Sequence, residues 1–194
     1  VVVSVESAPI SSFSASTFTP CMPASCCPHC ARAPRSVIAN CLRRRFMGDA
    51  SDRGLDGLII PDLPMEESVV ISEQCRKNGI HHIPLLAPTS TKERIKSSCE
   101  QAGGFIYCVS LTGVTGARDG LSKGVENLVE RIRVHTNLPV LVGFGVSQKK
   151  DVEMISKFAD GAVVGSAFLD HIANSSEGSE ISSAGEFIES ISVK

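Results

Sequence analysis

The 194-residue sequence predicts an α/β fold made of a repeated strand–helix unit, and three observations carry that prediction. Short apolar runs recur from Gly54 onward at the spacing of one β/α unit, roughly 20 to 35 residues. Helical periodicity fills the gaps between them. Glycine pairs follow the later runs, where a backbone turns out of a strand.

The runs are Gly57–Pro61, His82–Leu86, Phe105–Val109, Pro139–Val142 and Gly161–Val164. Apolar character at consecutive positions indicates parallel strands covered on both faces. A helix from Glu66 to Asn78 is predicted to stop at Gly79, a favoured residue just past a helix end. Ser90 and Glu93 have capping-box spacing and lead into Ile95, Cys99 and Ala102. Val125, Leu128, Val129 and Ile132 form one buried helical stripe. Ser147 is the expected N-cap before Val152 and Ile155. The order is βαβαβαβαβ with a short helical end. A closed barrel and an open doubly wound sheet both fit that rhythm.

Residues 1–45 have a different character. Their only acid is Glu6, against Arg32, Arg35, Arg43, Arg44 and Arg45, and Ser, Pro and Cys crowd the stretch. Ser-rich, Arg-bearing, acid-poor leaders are typical of organelle transit peptides. Sequence unrelated to the fold is the other reading, and both place residues 1–45 outside the core. Five of the eight cysteines lie there, including Cys27-Pro-His-Cys30. That pair lacks the strand–helix frame of a redox site and the second pair of a zinc site. Cys75, Cys99 and Cys108 fall in helical or strand patterns and are expected to be reduced core residues.

The net charge of −2, with 42% hydrophobic and 21% charged residues, gives no bulk electrostatic case for nucleic acid or a membrane surface. No apolar run approaches the roughly 20 residues of a membrane span. The segment 176–194 is polar and is expected to hold at most a final helix.

The strand exits carry the chemistry. The third run is followed by Ser110-Leu-Thr-Gly-Val-Thr-Gly116, the fourth by Gly143-Phe-Gly145 and the fifth by Gly165-Ser166. Glycines let backbone N–H groups approach an anion, and a helix N-terminus adds a favourable dipole. In β/α barrels the loops after the last two strands form the recurrent phosphate site. The inferred ligand is a small phosphorylated molecule.

Four segments together resemble one family. These are Gly54-Leu-Asp-Gly-Leu-Ile-Ile-Pro-Asp-Leu-Pro-Met-Glu-Glu-Ser68, Tyr107-Cys-Val-Ser-Leu-Thr-Gly-Val-Thr-Gly116, Leu141-Val-Gly-Phe-Gly-Val-Ser147 and Asp160-Gly-Ala-Val-Val-Gly-Ser-Ala167. Their order and spacing resemble the tryptophan synthase alpha chain, from about Phe46 to His171. The resemblance implies a TIM (β/α)8 barrel, here partial over 46–175, with strands four to eight present and one to three absent. It also implies cleavage of indole-3-glycerol phosphate to indole and glyceraldehyde 3-phosphate. The implied partner is a beta chain that holds pyridoxal phosphate, with no cofactor on this chain.

By the same resemblance, Gly116, Gly143, Gly145, Gly165 and Ser166 would hold the phosphate. Tyr107 would sit near the reacting glycerol, Thr115 would help place a catalytic carboxylate, and Asp62 would stand beside the indole pocket or cap the turn before Glu66. The family's catalytic Glu and its Asp within a Pro-Phe-Ser-Asp-Pro-type motif have no match in this sequence. The chain as written is therefore expected to have little or no lyase activity. A non-catalytic remnant that binds a phosphate ligand or a beta chain is the second reading, and a different phosphate-binding barrel the third. If residues 1–45 are a transit peptide, the compartment is the plastid stroma; otherwise it is the cytoplasm.

Overall fold

The computed structural model describes residues 2–4, 45–61, 63, 65–109, 118–143 and 145–193. The chain divides into two compact units, one of Pro9–His82 and one of Ile83–Lys194 together with Val1–Ala8.

Among its described residues the smaller unit holds helix α1, residues 45–52, then β2 (Gly57–Ile59), α2 (Met65–Lys77) and all but the last residue of β3 (His81–Ile83). Strands β2 and β3 form a two-stranded sheet. Both helices end on glycine in the left-handed region, Gly54 at φ +80° and Gly79 at φ +69°. At each end two nested bonds close the turn: Leu55 N to Ala50 O with Gly54 N to Ser51 O, and Ile80 N to Cys75 O with Gly79 N to Arg76 O. Those pairs satisfy carbonyls that a helix end leaves open, so the predicted role of Gly79 is realised. Met47, Ala50, Ile71, Cys75 and Ile80 form this unit's core.

Inside the smaller unit a buried polar pair joins helix to strand. Ser72 Oγ donates to Ser68 O at 2.7 Å and lies 2.6 Å from His82 Nδ1. With the hydroxyl proton committed to Ser68, His82 presents its Nδ1–H to Ser72. Burial holds His82 below the ordinary imidazole range.

The larger unit holds β1 (Val2–Ser4), β4 (Leu85–Leu86), β5 (Ile106–Val109), β6 (Val140–Gly143) and β7 (Gly161–Val163) in the sheet order β1-β7-β6-β5-β4. From β4 to β7 every pairing is parallel. One face presents Leu86, Ile106, Cys108, Val140, Val142 and Ala162 to helices α3 (Lys92–Gln101), α4 (Arg118–Arg133) and α5 (Lys149–Ile155) in one continuous core. All four residues of the predicted α4 stripe, Val125, Leu128, Val129 and Ile132, are buried there. The opposite face carries Tyr107, Val109, Leu141 and Gly143, which alternate with the core residues along β5 and β6.

Cys75, Cys99 and Cys108 are free and buried, as expected. Burial pushes the Cys75 and Cys99 thiols up to about 11 and Cys108 to about 12. They are core residues, with their thiols held protonated.

Four details differ from the sequence reading. The run His82–Leu86 is two strands, because Pro84 has no N–H to give a ladder; its carbonyl accepts from Tyr107 N at 3.1 Å. The N-cap of α3 is Thr91, whose Oγ1 accepts from Arg94 N at 3.2 Å. Ser90 is already engaged: its Oγ accepts from Ala87 N, and its carbonyl accepts from Arg131 at 2.6 Å. Gln148, not Ser147, caps α5, and Asp151 Oδ2 accepts from both backbone amides. Residues 1–45 were expected to supply no element, yet Val2–Ser4 pairs antiparallel with β7. The segment beyond residue 175, where the sequence reading allowed a final helix, holds one. Helix α7 (Glu180–Ile191) follows α6 (Ser166–Ala173) and buries Phe187 and Ile191 in the main core. The Phe187 ring meets Phe168 edge-on at 5.7 Å.

Candidate phosphate site at the strand exits

The parallel register decides which sequence positions meet. Gly143 at the end of β6 pairs with Val163 at the end of β7 and with Val109 at the end of β5. All three strands therefore leave the sheet at one end. Two residues beyond those ends in the chain come Gly145 and Gly165, on the exits of neighbouring strands.

Each glycine has a different physical reason. Gly145 has φ +79°, a conformation that side chains disfavour, and it turns the chain toward α5. Gly143 is buried beneath the ring of Tyr107. A Cβ at Gly143 would lie 2.6 Å from Tyr107 Cζ and 3.1 Å from Val163 Cβ, and it would run into the Tyr107 hydroxyl. Tyr107 thus takes its place because β6 has no side chain there. Burial raises its phenol above the usual range, so at neutral pH it is a hydrogen-bond donor.

At Gly165 the described contacts make no steric demand. Outside its chain neighbours and the backbone of α6, no described atom lies within 4 Å of a Cβ built there. Gly165 is the N-cap of α6, and its carbonyl accepts from Phe168 N at 3.1 Å and Leu169 N at 3.2 Å. The amides of Ser166 and Ala167 precede that ladder, as the first amides of any helix do. No acidic residue stands in the first turn of α6, so its positive dipole end is not offset by its own sequence. Ser166 is exposed and adds a hydroxyl at the same end. Backbone N–H groups, a hydroxyl and a helix N-terminus make an anion-binding arrangement.

Of the residues singled out from sequence, Tyr107, Gly143, Gly145, Gly165 and Ser166 lie at this end of the larger unit's sheet. Asp62, Thr115 and Gly116 lie outside the described residues, as do Cys27 and Cys30. The approach of Tyr107 to Gly143 was not visible in the sequence. Strand alternation puts each on a face, but only the register of β5 against β6 stacks them. Among the described residues no cluster of three His, Cys, Asp or Glu side chains is placed to hold a metal ion, and no helix is long and apolar enough to cross a membrane.

Comparison with known proteins bears on the same elements. Residues 35–191 match the family model described as tryptophan synthase alpha chain. The alpha chain of Thermoanaerobacter pseudethanolicus is 46% identical over 138 residues, covering 71% of this chain and 52% of that protein. That of Bacillus licheniformis is 50% identical over 115 residues, covering 59% of this chain and 43% of the relative. Among solved structures, tryptophan synthase subunit alpha from Campylobacter jejuni superposes with a TM-score of 0.68 at 32% identity, covering 81% of this chain and 62% of that one. A chain from the Pyrococcus furiosus tryptophan synthase α2β2 complex gives 0.65 at 29% identity, covering 80% and 61%. The match begins before the expected Phe46 and runs beyond His171, where the likeness was expected to end or slightly overrun, and it takes in α7, whose Phe187 and Ile191 lie in the core. The chain spans about half the length of the curated relatives it matches. The described fold is the α/β architecture of those neighbours, and the chain belongs to the tryptophan synthase alpha chain family.

Proposed function

We propose that this chain carries the phosphate-anchoring part of a lyase that cleaves indole-3-glycerol phosphate into indole and glyceraldehyde 3-phosphate. One observation supports this most: Gly143 and Val163 are paired at one end of a parallel sheet, so the glycine-bearing exits follow neighbouring strands, and the second leads directly into the N-terminus of α6. In this reading the phosphate takes the Ser166 and Ala167 amides and the Ser166 hydroxyl, with Gly145 facing it from β6. Gly116 contributes from the β5 exit. Tyr107, a protonated phenol on the same side of the sheet, reaches toward the glycerol as a donor.

Carbon–carbon cleavage needs more than an anchor. One group must protonate the indole carbon that departs, and another must take the proton of the glycerol hydroxyl. The family's Glu and Asp for those roles are not in this sequence, and Thr115 and Asp62 can only support them. The sequence as written therefore binds the phosphorylated ligand and does not turn it over. The partner in this proposal is a tryptophan synthase beta chain, which holds the pyridoxal phosphate and consumes indole. The α2β2 assembly of the Pyrococcus furiosus neighbour supports that pairing.

The test is to mix the purified chain with indole-3-glycerol phosphate and follow both ligand binding and indole release. Binding without indole is expected. Indole release that persists in Thr115→Val would overturn the assignment of roles. A folded chain with no affinity for indole compounds but affinity for another sugar phosphate would favour a different phosphate-binding barrel.

A further inference from the structure

The turn Ala87–Ser90 leads from β4 into α3, and it is held both by its own bonds and by α4. Ser90 N donates to Ala87 O at 2.8 Å, and Ala87 N donates back to Ser90 Oγ at 3.1 Å. The Ser90 carbonyl accepts from the Arg131 guanidinium at 2.6 Å, a bond between residues 41 apart in sequence. A Cβ at Gly124 would stand 3.9 Å from Pro88 Cβ, so the turn also lies against the body of α4. Gly124 and Arg131 are at i and i+7 of that helix, on one face. A guanidinium donates in a fixed planar geometry, so the Arg131 bond fixes the backbone at Ser90 as well as satisfying its carbonyl.

The register places this turn at the end of the sheet that carries the glycine-bearing exits. Leu86 pairs with Cys108, one residue short of Val109, and Val109 pairs with Gly143. Strand β4 lies two places from β6, about 10 Å at ordinary strand spacing. Between them runs β5, where Tyr107 pairs with Leu85. Leu85 and Ala87 are partly exposed, and the stretch Leu85-Leu-Ala-Pro-Thr-Ser90 carries no charge. A phosphorylated ligand anchored at the exits of β6 and β7 and extended past Tyr107 points its uncharged end at this turn.

We propose that Arg131 is a positioning residue for the end of the ligand remote from the phosphate. It acts through the Ser90 carbonyl, by fixing the turn Ala87–Ser90, and touches neither the phosphate nor its glycine exits. This rests on the reading that the exits of β6 and β7 anchor a phosphate.

Titration calorimetry of the full chain tests it, with indole-3-glycerol phosphate and separately with inorganic phosphate. Arg131→Met keeps an unbranched side chain and loses the donors. It is expected to weaken indole-3-glycerol phosphate about tenfold, the scale of one hydrogen bond from a charged group. Binding of inorganic phosphate is expected to be unchanged, and Arg131→Lys, which keeps a charged donor, is expected to recover most of the loss. A folded Arg131→Met chain that binds indole-3-glycerol phosphate as wild type does overturns the inference. Equal weakening of both ligands overturns it too, since that marks a general structural effect. Should Arg131→Met not fold, hydrogen exchange of segment 87–91 in the wild-type chain decides. Slowing by indole-3-glycerol phosphate but not by inorganic phosphate is expected, and the same response to both overturns the inference. A folded wild type that binds neither ligand overturns the phosphate reading itself, and this inference with it.

Discussion

Gly143 and Gly165 are both glycines at strand exits, and the structure separates their roles. At Gly143 the reason is internal. The ring of Tyr107 fills the space a methyl group would need, with Val163 behind it. The Gly143→Ala substitution is expected to destabilise the chain by about 1–3 kcal/mol through overpacking and to displace the phenol. Denaturant melts and the near-ultraviolet signal of this single tyrosine check it. An unchanged midpoint and spectrum would show that Tyr107 can move aside freely. At Gly165 no described atom outside its chain neighbours and the backbone of α6 stands within 4 Å of such a position, so no described contact there calls for glycine. The sequence shows both glycines but cannot tell these cases apart, because sterics at 143 come from a residue on another strand.

The secondary-structure elements were largely readable because each apolar run and each helical stripe is buried by its own periodicity. The α4 stripe needed nothing but the spacing of Val125, Leu128, Val129 and Ile132. What could not be read was competition for hydrogen bonds. Ser90 looked like a cap until its hydroxyl was claimed by Ala87, and Pro84 divides what reads as one strand. The Ser72–His82 pair belongs to the same class, since neither residue's pattern announces the other. Because burial lowers the folded-state value of His82, the unfolded chain binds the proton more readily between that value and about 6.5. The contribution to stability is complete above about pH 6.5 and declines as pH falls through the window below it. Urea melts at stepped pH, comparing the wild-type chain with His82→Gln, are expected to show a shallower loss in the variant below about pH 6.5. Parallel curves would remove His82 as the cause.

At the scale of the whole molecule, the family was legible from four segments, and residues 35–191 carry the match. One strand was not legible, and the final helix was read without its buried anchors. The strand Val2–Ser4 is three residues in a Ser- and Pro-rich stretch, and only an open β7 edge gives it a place. Helix α7 reads as polar because most of its residues face solvent, yet Phe187 and Ile191 anchor it. The central claim is that Gly165, Ser166 and the start of α6 hold a phosphate. It is tested most directly by calorimetric titration of indole-3-glycerol phosphate into the wild-type chain and Gly165→Asp. A side chain at this position meets no described atom within 4 Å outside its chain neighbours and the backbone of α6, so the fold is expected to be kept. The introduced carboxylate, however, would occupy and repel the phosphate position. The account predicts saturable binding by wild type that is lost in a Gly165→Asp chain that still folds, as its melting temperature shows. Equal binding by both chains, or none by folded wild type, would contradict it.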